Sequence, residues 1–311
     1  MPSQFDDDAR RAIRQALALR SYAAGTVRLV DADVTGWQFL VASHNGLFAV
    51  APGKWKRLAH GWFFGICRDQ DAVYLFENCG RQDRNGQHGR LVRVRIAEGW
   101  LVEPEVLVTG LDGNCHQVRV IDDLICVVDT ANQQILRFDR DGAMIDRQAP
   151  FPPAPAEDRS GAYLHINALA RIDGRLAVML HNGKALPPKP SELAWLDDDW
   201  RVIQRIALPG YRCHDIVADP DGVVWHSASM SGEIAASDGR RAKVCDDLMT
   251  RGIAFGSDRI AVGLTVFSER QQRDGLRGRL AMLDRDLNLL ETLELPGSPT
   301  DIAVLGDGNA R

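Results

Sequence analysis

Cysteine is scarce. Six residues in a chain of 311 are too few for a disulfide framework, so free thiols are expected. No apolar run approaches the roughly 18 residues that a bilayer-spanning helix needs; the longest, such as Phe39–Ala42 and Leu124–Val128, are of strand length. Positive charge is not in excess either. Lys plus Arg number 37 against 42 Asp plus Glu, a net charge of -5 with no basic block, which argues against a nucleic-acid partner. The first 20 residues carry an acidic cluster at Asp6–Asp8 and Arg10, Arg11, Arg14 and Arg20 where an export signal would place a continuous apolar stretch. A cytoplasmic protein without a membrane partner is the expectation. Cys-x-x-Cys, Gly-x-Ser-x-Gly, His-Glu-x-x-His and Gly-rich phosphate loops are all absent, so nucleophilic Ser or Cys chemistry has no positive support.

What is present is enough hydrophobic residue, 45%, to build a sizeable core. Helical spacing is confined to about Asp7 to Leu19, with Asp6 as a plausible N-cap. The rest reads as strand and turn. Runs of four to seven residues rich in Val, Ile, Leu, Phe and Trp alternate with Asp-Gly, Asn-Gly and Asp-Asp turns, the pattern of an all-β sandwich, barrel or propeller. The repeat decides among them. Six first strands align: Trp62–Cys67, His116–Val120, His165–Ala170, His214–Ala218, Arg251–Phe255 and Thr300–Val304. Second strands follow at Leu124–Val128, Leu176–Leu180, Val223–Trp225 and Ile260–Leu264, and third strands at Ile135–Phe138, Leu193–Leu196, Glu233–Ala235 and Leu280–Leu283. A four-stranded unit of about 40 to 50 residues is a β-propeller blade.

The sixth first strand has almost no chain after it, whereas Phe39–Ala42, Gly46–Val50 and Trp55–Leu58 read as second, third and fourth strands without a first. The two chain ends are therefore predicted to complete one blade, hiding its edges. The expected organisation is an N-terminal helix and arm over 1–24 and a single six-bladed propeller over 25–311.

The segment Val128-Asp-Thr-Ala-Asn-Gln-Gln-Ile-Leu-Arg-Phe-Asp-Arg-Asp-Gly142 resembles the NHL repeat, in which an Asp-Thr-x-Asn turn joins two blade strands. His214-Asp-Ile-Val-Ala-Asp-Pro-Asp-Gly222 is similar to a blade of the gluconolactonase superfamily. The second resemblance implies a divalent metal in the central channel, with Asn167 and Asp215 at positions that match the superfamily's inner-strand Asn and Asp. NHL-type amidating lyases carry a three-histidine metal in such a channel, so the first resemblance suggests a lyase or hydrolase.

In a propeller the starts of the inner strands and the loops between second and third strands meet at one mouth of the channel. His116, His165 and His214 begin three consecutive inner strands, His60 lies just before another, and His44 and His181 lie in second-to-third-strand turns. His116, His165 and His214 are the candidate ligands of a divalent or redox metal such as zinc, iron or copper, with calcium on oxygen ligands as the alternative. Arg251 could hold a carboxylate or stabilise an oxyanion, and Asp215 could act as ligand, orienting partner or general base. Gln117, Asn167, His60, His181, Trp62 and Asp301 are candidate substrate contacts. Glu77 reads as an exposed loop acid. Cys115 and Cys213, adjacent to His116 and His214, are expected to pack between blades because neighbouring strand residues point to opposite faces. The readings left open are a metal-dependent enzyme acting on a small polar or carboxylated molecule, a calcium-dependent lactonase-like hydrolase, and a non-catalytic propeller that binds a protein or glycan through its top face.

Overall fold

The computed structural model describes residues 4–80, 86–267 and 276–306, with the side chains of residues 4–8 left out of the description. One helix, α1 (Gln4–Ala23), precedes twenty-four strands. The first three, β1 (Phe39–Ser43), β2 (Gly46–Ala51) and β3 (Lys54–Ala59), wait for a partner. Blade 1 follows as β4 (Phe63–Asp69), β5 (Ala72–Asn78), β6 (Gly89–Ala97) and β7 (Trp100–Leu111). Blade 2 is β8 (Cys115–Ile121), β9 (Leu124–Asp129), β10 (Gln134–Phe138) and β11 (Met144–Gln148). Blade 3 is β12 (Ile166–Ile172), β13 (Arg175–Leu180), β14 (Glu192–Leu196) and β15 (Val202–Ala207). Blade 4 is β16 (His214–Ala218), β17 (Val224–Ala228), β18 (Glu233–Ala236) and β19 (Arg241–Lys243). Blade 5 is β20 (Met249–Phe255), β21 (Ile260–Thr265), β22 (Gly278–Leu283) and β23 (Leu289–Leu295).

The last strand, β24 (Pro299–Val304), pairs with β1, and the order β24-β1-β2-β3 makes blade 6 from both ends of the chain. The six-bladed propeller read from the sequence is the observed fold. No helix among the described residues is long and apolar enough to cross a membrane.

Inner and middle strands are apolar on both faces because each is covered by a neighbouring blade. Strand β13 is buried from Leu176 to Leu180, while the outermost strand β15 is exposed throughout. The helix is longer than the apolar spacing indicates, and Asp6 falls inside it rather than at its N-cap. It ends where Gly25 takes a φ of 62°, a left-handed conformation that glycine adopts without strain. Its inward face carries Ala18, fully buried against a cluster that includes Trp62, Phe64, Tyr74 and Phe76. Gln15 Nε2 donates to Cys79 O at 2.9 Å, and Ser21 accepts from Arg90 at 3.1 Å. Beneath it Glu77 forms a fully buried ion pair with Arg90 at 2.7 Å, so Glu77 is not the exposed loop acid expected. Cys115 and Cys213 are wholly buried in apolar clusters, as the strand parity required. All six cysteines are unbridged.

Candidate functional site: an imidazole cluster at the channel mouth

Every inner strand is irregular at its first turn of pleat. Pairing slips between Phe63 and Gly65, Cys115 and Gln117, Ile166 and Ala168, His214 and Val217, and Thr250 and Ile253, and the β1–β24 register slips beside Thr300. A bulge inserts one residue and re-aims the side chains around it. Two consecutive residues per blade can thus face the channel, one at the mouth and one just below.

The lower layer reads Gly65, Gln117, Ala168, Asp215, Gly252 and Asp301 around the ring, long and short in alternation. Each long side chain crosses to the backbone of the neighbouring blade's inner strand. Gln117 Oε1 accepts from Leu169 N at 2.7 Å, Asp215 Oδ2 from Ile253 N at 2.8 Å, and Asp301 Oδ2 from Ile66 N at 3.0 Å. The short residues leave room for their neighbours, since a Cβ on Gly65 would lie 2.7 Å from Val118 N. Arg119, two residues beyond Gln117 and therefore on the same strand face, brings its guanidinium to Asp215 at 3.2 Å and Asp301 at 3.0 Å. It also donates to Ile66 O and Val118 O. Burial pushes the Asp301 carboxyl up to about 6 against the opposing pull of Arg119, with the nearby Asp215 charge adding to the rise. Arg119 itself is held in its charged form, because the two carboxylates outweigh the burial that would discharge it.

This layer places Gln117, Asp215 and Asp301 in blade-to-blade stapling below the mouth. Both Asp215 oxygens already accept from N–H donors, including Gln117 Nε2 at 3.0 Å and Ile216 N at 2.9 Å. A calcium ion on Asp215 would have to displace a guanidinium, so the oxygen-ligand site expected from the lactonase resemblance does not fit this arrangement. A cavity of about 600 Å³ opens beyond Arg119 at the opposite mouth, with Cys67, Val217, Ile253 and Ile302 in its wall. None of the histidines lines it.

The upper layer holds the candidate site. Ring centroids run from His44 to Phe64 at 5.1 Å, Phe64 to His116 at 6.3 Å, His116 to His165 at 5.1 Å, His165 to His181 at 4.5 Å and His181 to His214 at 4.9 Å. The four later imidazoles are half-buried. Asn167, rather than His165, occupies the bulge equivalent to His116; His165 precedes its strand with a φ of 53° and still reaches the cluster. Asn167 is 4% exposed. Its Nδ2 donates to Cys213 O at 3.0 Å, and its buried Oδ1 has no hydrogen-bond partner among the described residues. Burial holds His214 well below the ordinary imidazole range, and Arg251 and the other three rings deepen the shift. Arg251, buried at the start of blade 5, is thereby placed within electrostatic reach of the cluster.

Two sequence-based candidates fall elsewhere. His60 is exposed in the β3–β4 connection, its backbone tied to Arg28 and its imidazole kept low by partial burial, Arg57 and Arg28. Trp62 is packed under α1, and it is Phe64, two residues on, that reaches the rings. Sequence reasoning passed over Arg119 and Phe64. The parity of Arg119 with Gln117 was the available signal; nothing marks Phe64 without the bulge.

The donor set His116, His165 and His214 has the chemistry of a zinc, copper or iron site. As the rings stand, however, no three His, Cys, Asp or Glu side chains among the described residues are placed to hold one ion.

These features define a six-bladed β-propeller with a histidine-lined channel mouth. No protein-family model matches the chain, and no curated protein matches it in sequence. Among solved structures it is similar to a chain of the nidogen/laminin complex, with a TM-score of 0.59 and 12% identity over 86% of this chain and 97% of that one. A protein of unknown function from Bacteroides caccae gives a TM-score of 0.55 and 10% identity, covering 86% of this chain and 98% of that one. The WD40 propeller domain of Doa1 gives 0.53 and 11%, covering 89% of both. At such identities the likeness is one of fold.

Proposed function

We propose that this propeller is an enzyme of lyase or hydrolase type acting on a small polar, carboxylated molecule at the channel mouth. The observation that carries the reading is the gathering of His116, His165, His181 and His214, from three blades, beside the buried Arg251. Four titratable rings against one another contribute little packing that apolar residues would not supply better. Among them His214 supplies a neutral proton acceptor, because burial holds its imidazole well below the ordinary range. Arg251 adds a positive charge within electrostatic reach of the rings. Acids of the channel are committed to the layer below, which favours an anionic ligand over a cationic one at the mouth. The free thiols fit a reducing compartment such as the cytoplasm.

In the metal-dependent form of this reading His116, His165 and His214 would hold the ion. When bound, the ion would polarise a carbonyl oxygen. Metal analysis of protein purified without a histidine tag, together with calorimetry against a panel of small carboxylic acids, tests the proposal. Saturable binding of an acid, lost in His214→Ala and Arg251→Gln variants with native circular dichroism, supports it. About one equivalent of metal, lost in His116→Ala/His214→Ala, supports the metal-dependent form. A protein that binds neither acid nor metal would instead be a binding module.

A further inference from the structure

Three arginines meet where α1, the segment between α1 and β1, and blade 6 come together. Arg14, on α1, donates to Asn45 Oδ1 at 3.3 Å in the β1–β2 turn. Arg57, on β3, crosses the same turn: a Cβ on Gly46 would lie 3.3 Å from its Nε, and its guanidinium covers the Phe48 ring. Arg28 donates to His60 O at 3.4 Å, and His60 N donates to Arg28 O at 3.1 Å. The Nε–H of all three is buried and has no hydrogen-bond partner among the described residues. Acids of the adjoining segments are engaged elsewhere. Asp31 and Asp33 pair with Lys56 at 3.0 and 3.5 Å, which leaves β3 on the face opposite Arg57, and Glu77, whose Oε1 lies against Gly61, is held by Arg90. The crowding of positive charge is felt locally: burial and then Arg14 lower the Arg57 guanidinium, while burial, Arg57 and Arg28 lower the His60 imidazole. Buried N–H groups without acceptors are costly, and like charges at close range add to the cost.

We propose that Arg14, Arg28 and Arg57 form a binding site for a tetrahedral dianion, either inorganic phosphate or the phosphoryl group of a small phosphate monoester. Guanidinium forks match phosphate oxygens in geometry, and one such group supplies acceptors to all three while offsetting most of their charge. A monocarboxylate brings half the charge and fewer acceptors. Because the Nε groups are buried, the ligand is a small one that enters between α1 and the β1–β2 turn rather than an extended polyanion lying across the surface. Once bound, it ties α1 and the segment after it to blade 6, so it stabilises the folded chain by mass action.

Calorimetry of the full chain at pH 7.5, in chloride buffer of matched ionic strength, tests the site with inorganic phosphate and separately with glycerol phosphate. Saturable binding of at least one is expected, with a melting temperature that rises with its concentration; preference for the first identifies the free ion as ligand, preference for the second the ester, and either supports the site. Arg57→Met and Arg28→Met should each weaken binding about tenfold or more without lowering the melting temperature in chloride, since each removes a repelling charge. In the wild-type protein, NMR should show the His60 imidazole pKa raised by saturating phosphate, a readout that needs no variant. Failure of both probes to saturate, a His60 pKa that phosphate does not move, or binding that survives Arg57→Met overturns the proposal. So does a marked drop in melting temperature of both arginine variants in chloride, which would make the cluster structural. Binding lost in His214→Ala but kept in Arg57→Met would place the anion at the channel mouth and overturns it equally.

Discussion

Replacing Arg119 by methionine removes the cation that lies between two carboxylates whose side chains are 4% and 3% exposed. Asp215 and Asp301 each keep backbone N–H donors, but they lose the guanidinium that both face. Breaking a buried ion pair from one side costs about 3–5 kcal/mol, and that loss is expected at pH 7.5 in urea unfolding. The pH dependence identifies the cause. With Arg119 present the Asp301 carboxyl titrates at about 6, above its unfolded value of 3.8. Without the cation it should titrate higher still. A folded-state pKa above the unfolded one means that the folded protein binds the extra proton, so stability rises as pH falls through it. Each unit of further shift is worth about 1.4 kcal/mol, so the variant should regain roughly 1–2 kcal/mol relative to wild type between pH 7.5 and 5.5. Adding Asp301→Asn should reproduce most of that recovery at pH 7.5. A loss below about 1 kcal/mol, or an equal loss at both pH values, would refute the view that Arg119 neutralises the channel acids.

Further expectations follow from other layers. His226 in β17 is buried and titrates at about 4, pushed down by burial and then by Arg241; because its unfolded value is 6.5, the stability it contributes is complete above that pH and is lost as pH falls towards 4. That loss amounts to about 3 kcal/mol, and a His226→Gln variant should show a correspondingly flatter acid branch in thermal melts followed by circular dichroism. A Gly65→Ala substitution places a methyl group 2.7 Å from Val118 N and 2.8 Å from the Gln117 Cα, so strands rather than side chains must move and about 2–3 kcal/mol should be lost on urea unfolding. Deleting residues 1–24 uncovers Trp62 and Phe64 and takes Ser21 from Arg90; a lower melting temperature with the β-rich circular dichroism spectrum retained is expected.

Much of this architecture is legible in the sequence because blade strands are bounded by turns and filled by residues that bury on both faces. Leu176–Leu180 and Ile260–Leu264 lie inside the observed strands almost residue for residue. The closure of blade 6 was legible too, since β1–β3 carry no first strand of their own. The site was legible only as a neighbourhood. Strict alternation assigns His116 and Gln117 to opposite faces, yet the bulge lets both reach the channel in separate layers. The same irregularity moves Asn167 into the position expected for His165. It also turns Asp215, a candidate catalyst by sequence, into a brace whose oxygens are taken by Ile253, Ile216 and Gln117. Bulges depend on the pairing of two strands, and no local run of residues announces them.

The split origin of blade 6 has a temporal consequence. During synthesis β1, β2 and β3 are made before the five whole blades, and the edge of β1 that will receive β24 lies bare until β24 leaves the ribosome. An unsatisfied strand edge is a template for wrong partners, and here it persists while the five intervening blades emerge. The nascent chain should therefore be most prone to aggregate just before β24 emerges, and a stop codon ahead of Pro299 should yield insoluble protein rather than a five-bladed ring.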